Sequence, residues 1–476
     1  MKDLTQGAIP QQIVAIAVPI AAGMIFQTLY YLVDLYFVAG LGDTAIAGVG
    51  LAGNVSMVII ALTQMLGVGT VALVSHAAGR KDRPEANLIF NQSVLISAIL
   101  GVTTLIAGYG LTGVYVRSLA ADEAAAAAGA SYLYWYLPGL ALQFALVAMG
   151  SALRGTGIVK PTMVVQVLTV VLNTIFAPVL IAGWGTHHPF GVAGAGLATT
   201  LAIAVGVVFL WWYFHRLEHF VALDSKQWTP HLSTWKRILN IGLPAGGEMM
   251  MIFVVIAAAY WAIRGFGPAA QAGFGVGSRV MQAIFLPAMA IAFAAAPVAG
   301  QNYGAGHLDR VKETFRSAAW MSSIAMAGLT TLCLWRAESL VRLFTSDAAV
   351  VATGASYLQI VSWNFVPTGL AFTASSMFQA IGNSWPSLIS SGTRLFTYVI
   401  PVLWLGAHGN FELTQLWWMS VATVTLQAVV ALALLYQQFR QRLAPRTQAV
   451  PAGEHQPLGA SANNGSVLTP PSDHST

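Results

Sequence analysis

Apolar residues run along this chain in long blocks, each interrupted by a few polar or glycine-rich positions. About 20 apolar residues span a bilayer core, and a tilted helix needs more. On that scale the blocks predict twelve membrane-crossing helices, at 13–40, 45–76, 88–116, 126–152, 161–183, 190–215, 236–264, 270–300, 315–336, 348–380, 386–407 and 413–439. The first block runs on to about Ala39, too long for the apolar region of a signal peptide, so it reads as the first helix. Two interruptions carry clear polar or turn chemistry: Gly183–Pro189 (GWGTHHP) and Glu218–Thr234, the longest. From Gln441 the chain becomes rich in Pro, Ser, Asn and Gly, the composition of a disordered tail.

Sliding the chain along itself exposes a repeat at a constant offset of 225. Pro19 meets Pro244, Gly42 meets Gly267, and Gly48 and Gly50 meet Gly273 and Gly275. The register holds through Gly79 with Gly304, Tyr132 with Tyr357, Gly157 with Gly382 and Pro161 with Pro386. Two unrelated apolar bundles would not keep glycines and prolines in step. The expected organisation is an N-terminal six-helix lobe (1–217), a cytoplasmic linker (218–234), a C-terminal six-helix lobe (235–440) and a cytoplasmic tail (441–476). Six crossings per half bring both halves in and out on the same side. The predicted fold is therefore all-α and integral to the membrane, with two parallel lobes about a pseudo-two-fold axis along the membrane normal. A cleft between such lobes suits alternating access.

Composition agrees with the pattern. Of 476 residues, 57% are hydrophobic and 8% charged, and the mean hydropathy is +0.69. Soluble domains carry about 25% charged residues. Basic residues gather in alternate gaps, such as Arg80, Lys81 and Arg83, then Arg154 and Lys160, then Arg310, Lys312 and Arg316. The opposite gaps and helix ends hold only Arg117, Arg264, Arg336 and Arg342. The positive-inside bias thus predicts both termini in the cytoplasm of a bacterial inner-membrane protein. There is no basic stripe for nucleic acid, and the single cysteine, Cys333, excludes a disulfide framework or a CxxC metal site.

Several segments resemble the multidrug and toxic compound extrusion (MATE) transporters. They are Val33–Val55 (VDLYFVAGLGDTAIAGVGLAGNV), Gly67–Asp82, Ile241–Glu248 (IGLPAGGE), Phe274–Val280 (FGVGSRV) and Ala299–Gly306 (AGQNYGAG). Ala152–Met163 and Phe378–Leu388 resemble paired loops between the fourth and fifth helices of each half. The resemblance spans about residues 10–440. It implies export of organic, usually cationic, amphipathic compounds through a central cleft by proton or sodium antiport, by a monomer in lipid, without a cofactor.

Within the membrane, ionisable side chains cost about 2.5–3.5 kcal/mol on insertion scales and so point to function. Asp34 lies 21 residues into the first span, about 30 Å along the axis. Gln27, Tyr31 and Asp34 recur at i, i+4 and i+7, one polar stripe facing protein or a wet cavity. Protonated, Asp34 has little affinity for a cation; ionised, it attracts one. Proton and substrate then compete for one group, as antiport requires. In the MATE family the matching aspartate binds an ion or a proton.

The fifth span places Gln166, Thr169 and Asn173 on one face, with Asn173 a candidate partner for Asp34. Many family members carry a second acid four residues after that Asn. Here the position is Ala177, which favours protons over sodium, an ion that needs several oxygens. Glu248 is the second candidate for ion or proton coupling; its place soon after Pro244 fits solvation near the helix end equally well. Arg279 and Arg394 read as interior residues paired with carbonyls or with Glu248. Met249–Met251 (with Met250 central), Met281, Trp261 and Trp363 form a candidate polyspecific pocket.

Other classes find less support. An HExxH metalloprotease motif, an acidic cluster for lipid phosphotransfer and a GxxxxGK[ST] loop are all missing, so neither an enzyme nor a resident metal is expected. A flippase for lipid-linked saccharides is the alternative within transport. Its cavity should be strongly cationic, and only Arg279 and Arg394 offer that charge.

Overall fold

The computed structural model describes residues 1–443 apart from 186, 219, 409 and 410, and leaves the side chains at 30–32, 34 and 35 undescribed. The tail from 444 onward lies outside the described residues. The first lobe comprises α1 (Ile9–Ala39), α2 (Asp43–Gly79), α3 (Arg83–Leu119), α4 (Glu123–Gly155), α5 (Lys160–Ile181) and α6 (Val192–Arg216). The second begins with α7 (Leu232–Ile263), α8 (Pro268–Gly304) and α9 (Leu308–Arg342). Its tenth crossing is split into α10 (Ala348–Val361) and α11 (Phe365–Ala380), and its eleventh into α12 (Trp385–Arg394) and α13 (Ile400–His408). The last crossing is α14 (Leu413–Arg442).

Each expected span is a helix, and most run further than hydropathy alone indicates. Helices of 37 residues are about 55 Å long, well beyond the ~30 Å hydrocarbon core. Of the three, α3 carries a side-chain cap and starts at Arg83 because Asp82 accepts from Glu85 N at 3.0 Å. The two split crossings follow from proline. Pro367 removes a helical donor and its ring opposes the Trp363 carbonyl, where a 3-10 turn (Ser362–Asn364) separates α10 from α11. Pro401 stands just beyond the π-helical turn Leu395–Val399 between α12 and α13.

The repeat is visible in the backbone. Gly42 (φ 97°, ψ 173°) and Gly267 (φ 89°, ψ 173°), 225 positions apart, turn the chain into α2 and α8 with the same left-handed geometry. A Cβ would strain both.

The lobes are joined by an exchange. The first turns of α1 pack on the second lobe, where Ile9, Ile13 and Ile16 share a core with Val298, Val311 and Phe378. Reciprocally, Ile238 and Ile241 of α7 join Leu66, Leu73 and Phe90 of the first lobe. At the end of the bundle that carries the N-terminus, the exchange becomes a seal with its own two-fold symmetry. A Cβ on Gly79 would stand 2.0 Å from Gln301 O, and one on Gly304 would stand 2.2 Å from His76 O. His76 and Gln301 are themselves 225 apart, so these are one contact made twice. A Cβ on Gly242 would stand 1.9 Å from Met65 O, so backbone meets backbone there too.

Polar bonds lock this face. Lys2 N donates to Thr156 O at 2.9 Å in the first lobe, and Leu4 N donates to Gln301 Oε1 at 2.9 Å in the second. Asn302 Nδ2 donates to Leu4 O at 3.1 Å, and Arg310 Nη2 to Gly7 O at 2.9 Å. Arg237 of α7 pairs with Glu85 of α3 at 2.8 Å. The segment between lobes is held by α3. Asn91 Nδ2 donates to Ala222 O at 2.9 Å, and Gln92 Nε2 to Gln227 O at 2.6 Å and Thr229 O at 2.9 Å.

Candidate functional site

Glu248 stands sixteen residues into α7, far from the frayed helix end where solvation alone would account for it. It is half-buried among three serines. Ser387 Oγ donates to Glu248 Oε2 at 2.6 Å and Ser391 Oγ to Oε1 at 3.2 Å, both from α12. Ser375 Oγ, from α11, reaches Oε2 at 3.0 Å. A second ring of amides supports the hydroxyls: Gln379 Nε2 donates to Ser375 Oγ at 3.2 Å, and Gln427 Nε2 of α14 to Ser391 Oγ at 3.1 Å. No Lys, Arg or His among the described residues forms an ion pair with Glu248.

The chemistry follows from counting protons. Glu248 Oε2, Ser375 Oγ and Ser387 Oγ form a triangle, because the two hydroxyl oxygens are 2.6 Å apart. Three contacts need three protons, and two hydroxyls bring two. A protonated carboxyl supplies the third and closes the ring; an ionised one leaves an oxygen–oxygen contact unbridged.

The first-lobe candidates divide. The Asp34 and Tyr31 side chains lie outside the described residues, so their contacts, including any with Asn173, are not described. Gln27 is exposed. Asn173 is buried and donates from Nδ2 to Thr199 Oγ1 at 3.3 Å, while its Oδ1 meets no partner among the described side chains. Gln166 projects onto α1, where a Cβ on Gly23 would fall 1.8 Å from its Oε1. Thr169 spends its hydroxyl on Gln166 O at 2.9 Å and packs its methyl against Gly206 of α6. The expected polar face is thus split, with Thr169 turned to packing.

Neither arginine pairs with Glu248. Arg279 is exposed, contrary to the interior position expected of it. Arg394 is half-buried, with its Cζ 5.8 Å from the Tyr398 ring and its Nε without a partner among the described residues. The methionines and tryptophans divide as well. Met281 Sδ accepts from Tyr357 Oη at 3.3 Å within the second-lobe core. Trp261 lies against Gly406 of α13, with Arg264 over its ring at 4.4 Å. Met250 and Trp363 are exposed, at 41% and 54%. Met281 and Trp261 thus pack against the same second-lobe core, while Met250 and Trp363 stand exposed.

Sequence reasoning missed the serine cage and Arg154. Ser387 and Ser391 stand at i and i+4 in an apolar span, a signal that could have been read, but their partner is 139 residues away. Arg154 near the end of α4 reads as a topological charge, whereas its side chain lines a cavity between the lobes.

Two six-helix lobes exchanging their first helices about a pseudo-two-fold axis are the architecture of a membrane transporter rather than of an enzyme. The MatE family profile matches residues 19–179 and again 244–405, its two matches starting 225 residues apart, and the chain belongs to that family. It is 27% identical over 390 residues to "Probable multidrug resistance protein YpnP" of Bacillus subtilis (strain 168), covering 80% of this chain and 86% of that protein. It is 25% identical over 431 residues to "Multidrug export protein MepA" of Staphylococcus haemolyticus (strain JCSC1435), covering 90% and 93%. A solved structure described as the "Outward-facing conformation of a multidrug resistance MATE family transporter of the MOP superfamily" matches with a TM-score of 0.86 at 27% identity, covering 92% of this chain and 98% of that one.

Proposed function

We propose that this chain exports amphipathic organic compounds, chiefly cations, from the bacterial cytoplasm in exchange for protons, through Asp34 in the first lobe and Glu248 in the second. The observation that carries the reading is the Glu248 triangle, whose three oxygen contacts are complete only with a proton on the carboxyl. Ala177 supplies no further side-chain oxygen for sodium in the first lobe. The Lys/Arg bias makes the N-terminal face cytoplasmic. The seal then lies on the cytoplasmic side, which leaves the outer side as the one from which protons load.

The energetics fit. An inside-negative potential opposes cation exit by about 2.3 kcal/mol per charge per 100 mV. With one proton site in each lobe, two protons entering for one monovalent cation leaving carry one net positive charge inward, so the pH gradient and the potential both drive the cycle. The test is export of a fluorescent organic cation from proteoliposomes with proton and sodium gradients imposed separately. Export driven by ΔpH alone is expected. Export driven only by sodium overturns the coupling ion, and no export under either gradient overturns the multidrug reading.

A further inference from the structure

The lobes enclose a small cavity at the sealed end of the cleft, and it lies on the pseudo-two-fold axis. Its walls include Val68 with Phe293, Val71 with Ala296, and Arg154 with Gln379, each pair 225 positions apart. Gln64 adds a further amide. The symmetry is broken where it matters chemically, with a guanidinium facing the position at which the other lobe offers a carboxamide.

Arg154 is underused. Of its five N–H donors, the described bonds engage one, Nη2 to Ser151 Oγ at 3.0 Å. It forms no ion pair among the described residues. Gly67, whose Cβ would stand 3.8 Å from Nη2, leaves the space beside the guanidinium free of a side chain. A half-buried guanidinium without a carboxylate is costly, and its planar fork matches a carboxylate through two parallel bonds.

We infer that the axial cavity is a carboxylate subsite, in which Arg154, assisted by the Gln64 and Gln379 amides, holds an acidic group of the transported compound. The proposal rests on the exporter reading and narrows it, since the favoured substrates are zwitterions joining a cationic aromatic body to a carboxylate. It also has a direction. The cavity measures about 20 Å³ in the described conformation, room for one water and too little for a carboxylate. The group therefore binds when the lobes part at the N-terminal face, and closure of the seal drives it out into the cleft. A ligand that binds one state better shifts the protein toward that state, so a carboxylate at Arg154 favours the unsealed form.

The test compares rhodamine B, with a free carboxylate, and its ethyl ester. Equilibrium binding to the purified full-length protein and export from proteoliposomes are measured for wild type, Arg154→Gln and Arg154→Lys. The acid-to-ester affinity ratio should fall about tenfold in Arg154→Gln, which copies the amide of Gln379, and partly recover in Arg154→Lys. An equal loss for acid and ester in a folded Arg154→Gln, or an unchanged ratio, overturns the subsite. Failure of wild type to export either dye overturns the exporter reading instead, and the binding ratio still judges Arg154.

Discussion

The two lobes share a repeat register, and one shelf of side chains shows most clearly how they differ. In the second lobe Glu248, Ser375, Ser387 and Ser391 form the carboxyl cage. In repeat register the first lobe has Gly23, Gly150, Thr162 and Gln166. There the long side chain comes from the opposite partner: Gln166 reaches over Gly23, and the Thr162 methyl carbon lies 3.1 Å from where a Cβ on Gly150 would be. One lobe fills the shelf with an amide that has no proton to exchange; the other fills it with an acid. The first lobe's own acid, Asp34, sits eleven positions further along the register, opposite Ala259, a displacement of about 16 Å along a helix. Duplication thus supplied two equivalent frames, and divergence set one acid in each at a different depth.

Several changes would break or sharpen this contrast. The largest effect is expected at Asp34. Asp34→Asn should abolish ΔpH-driven export while the protein still inserts and folds, and unaltered drug resistance in cells carrying it would remove Asp34 from the coupling scheme. Glu248→Gln keeps the shape of the cage but ends its exchange of protons, and should lower ΔpH-driven export by about tenfold, within the usual range of a coupling free energy of about 1–3 kcal/mol. Dye counterflow without a pH gradient separates that loss from damage to the cleft.

The seal shared by the lobes is the next target. Gly242→Ala forces a Cβ against the Met65 carbonyl, where overpacking costs about 1–3 kcal/mol. It should shift the population toward the unsealed form, read as faster thiol labelling of a cysteine placed at Ala61. Native Cys333 is buried and gives little background. Glu85→Gln should act weakest among the substitutions at the seal, because the Arg237 pair is partly exposed and such pairs contribute about 0–1 kcal/mol.

The smallest effect concerns acid. Hydrogen bonds from Thr5 hold the Asp3 carboxyl below the usual carboxylate range. A depressed folded value adds stability that is present above the unfolded value and lost as pH falls through the folded one. The N-terminal segment should therefore keep its amide-exchange protection at neutral pH and lose it only in strong acid.

Much of this was legible in the chain. Blocks of apolar residues mark crossings because a bilayer tolerates no unpaired backbone, and the 225-residue register revealed the duplication before any coordinate did. Less legible was whatever depends on partners across the fold. Glu248 reads equally as a coupling acid and as a solvated helix-end acid, because its three serines lie on other helices. Arg154 read as a cytoplasmic charge because position along α4 does not say which way a side chain faces. The break at Ser362–Asn364 was hidden inside an unbroken apolar run, although Pro367 announces it.

The most direct test of one proton site per lobe is the release of protons when a cationic dye binds to purified protein in weakly buffered solution. Wild type should release more than either Asp34→Asn or Glu248→Gln, and the double variant should release none. Equal release from wild type and Glu248→Gln would contradict the second site and leave Asp34 as the sole coupling group.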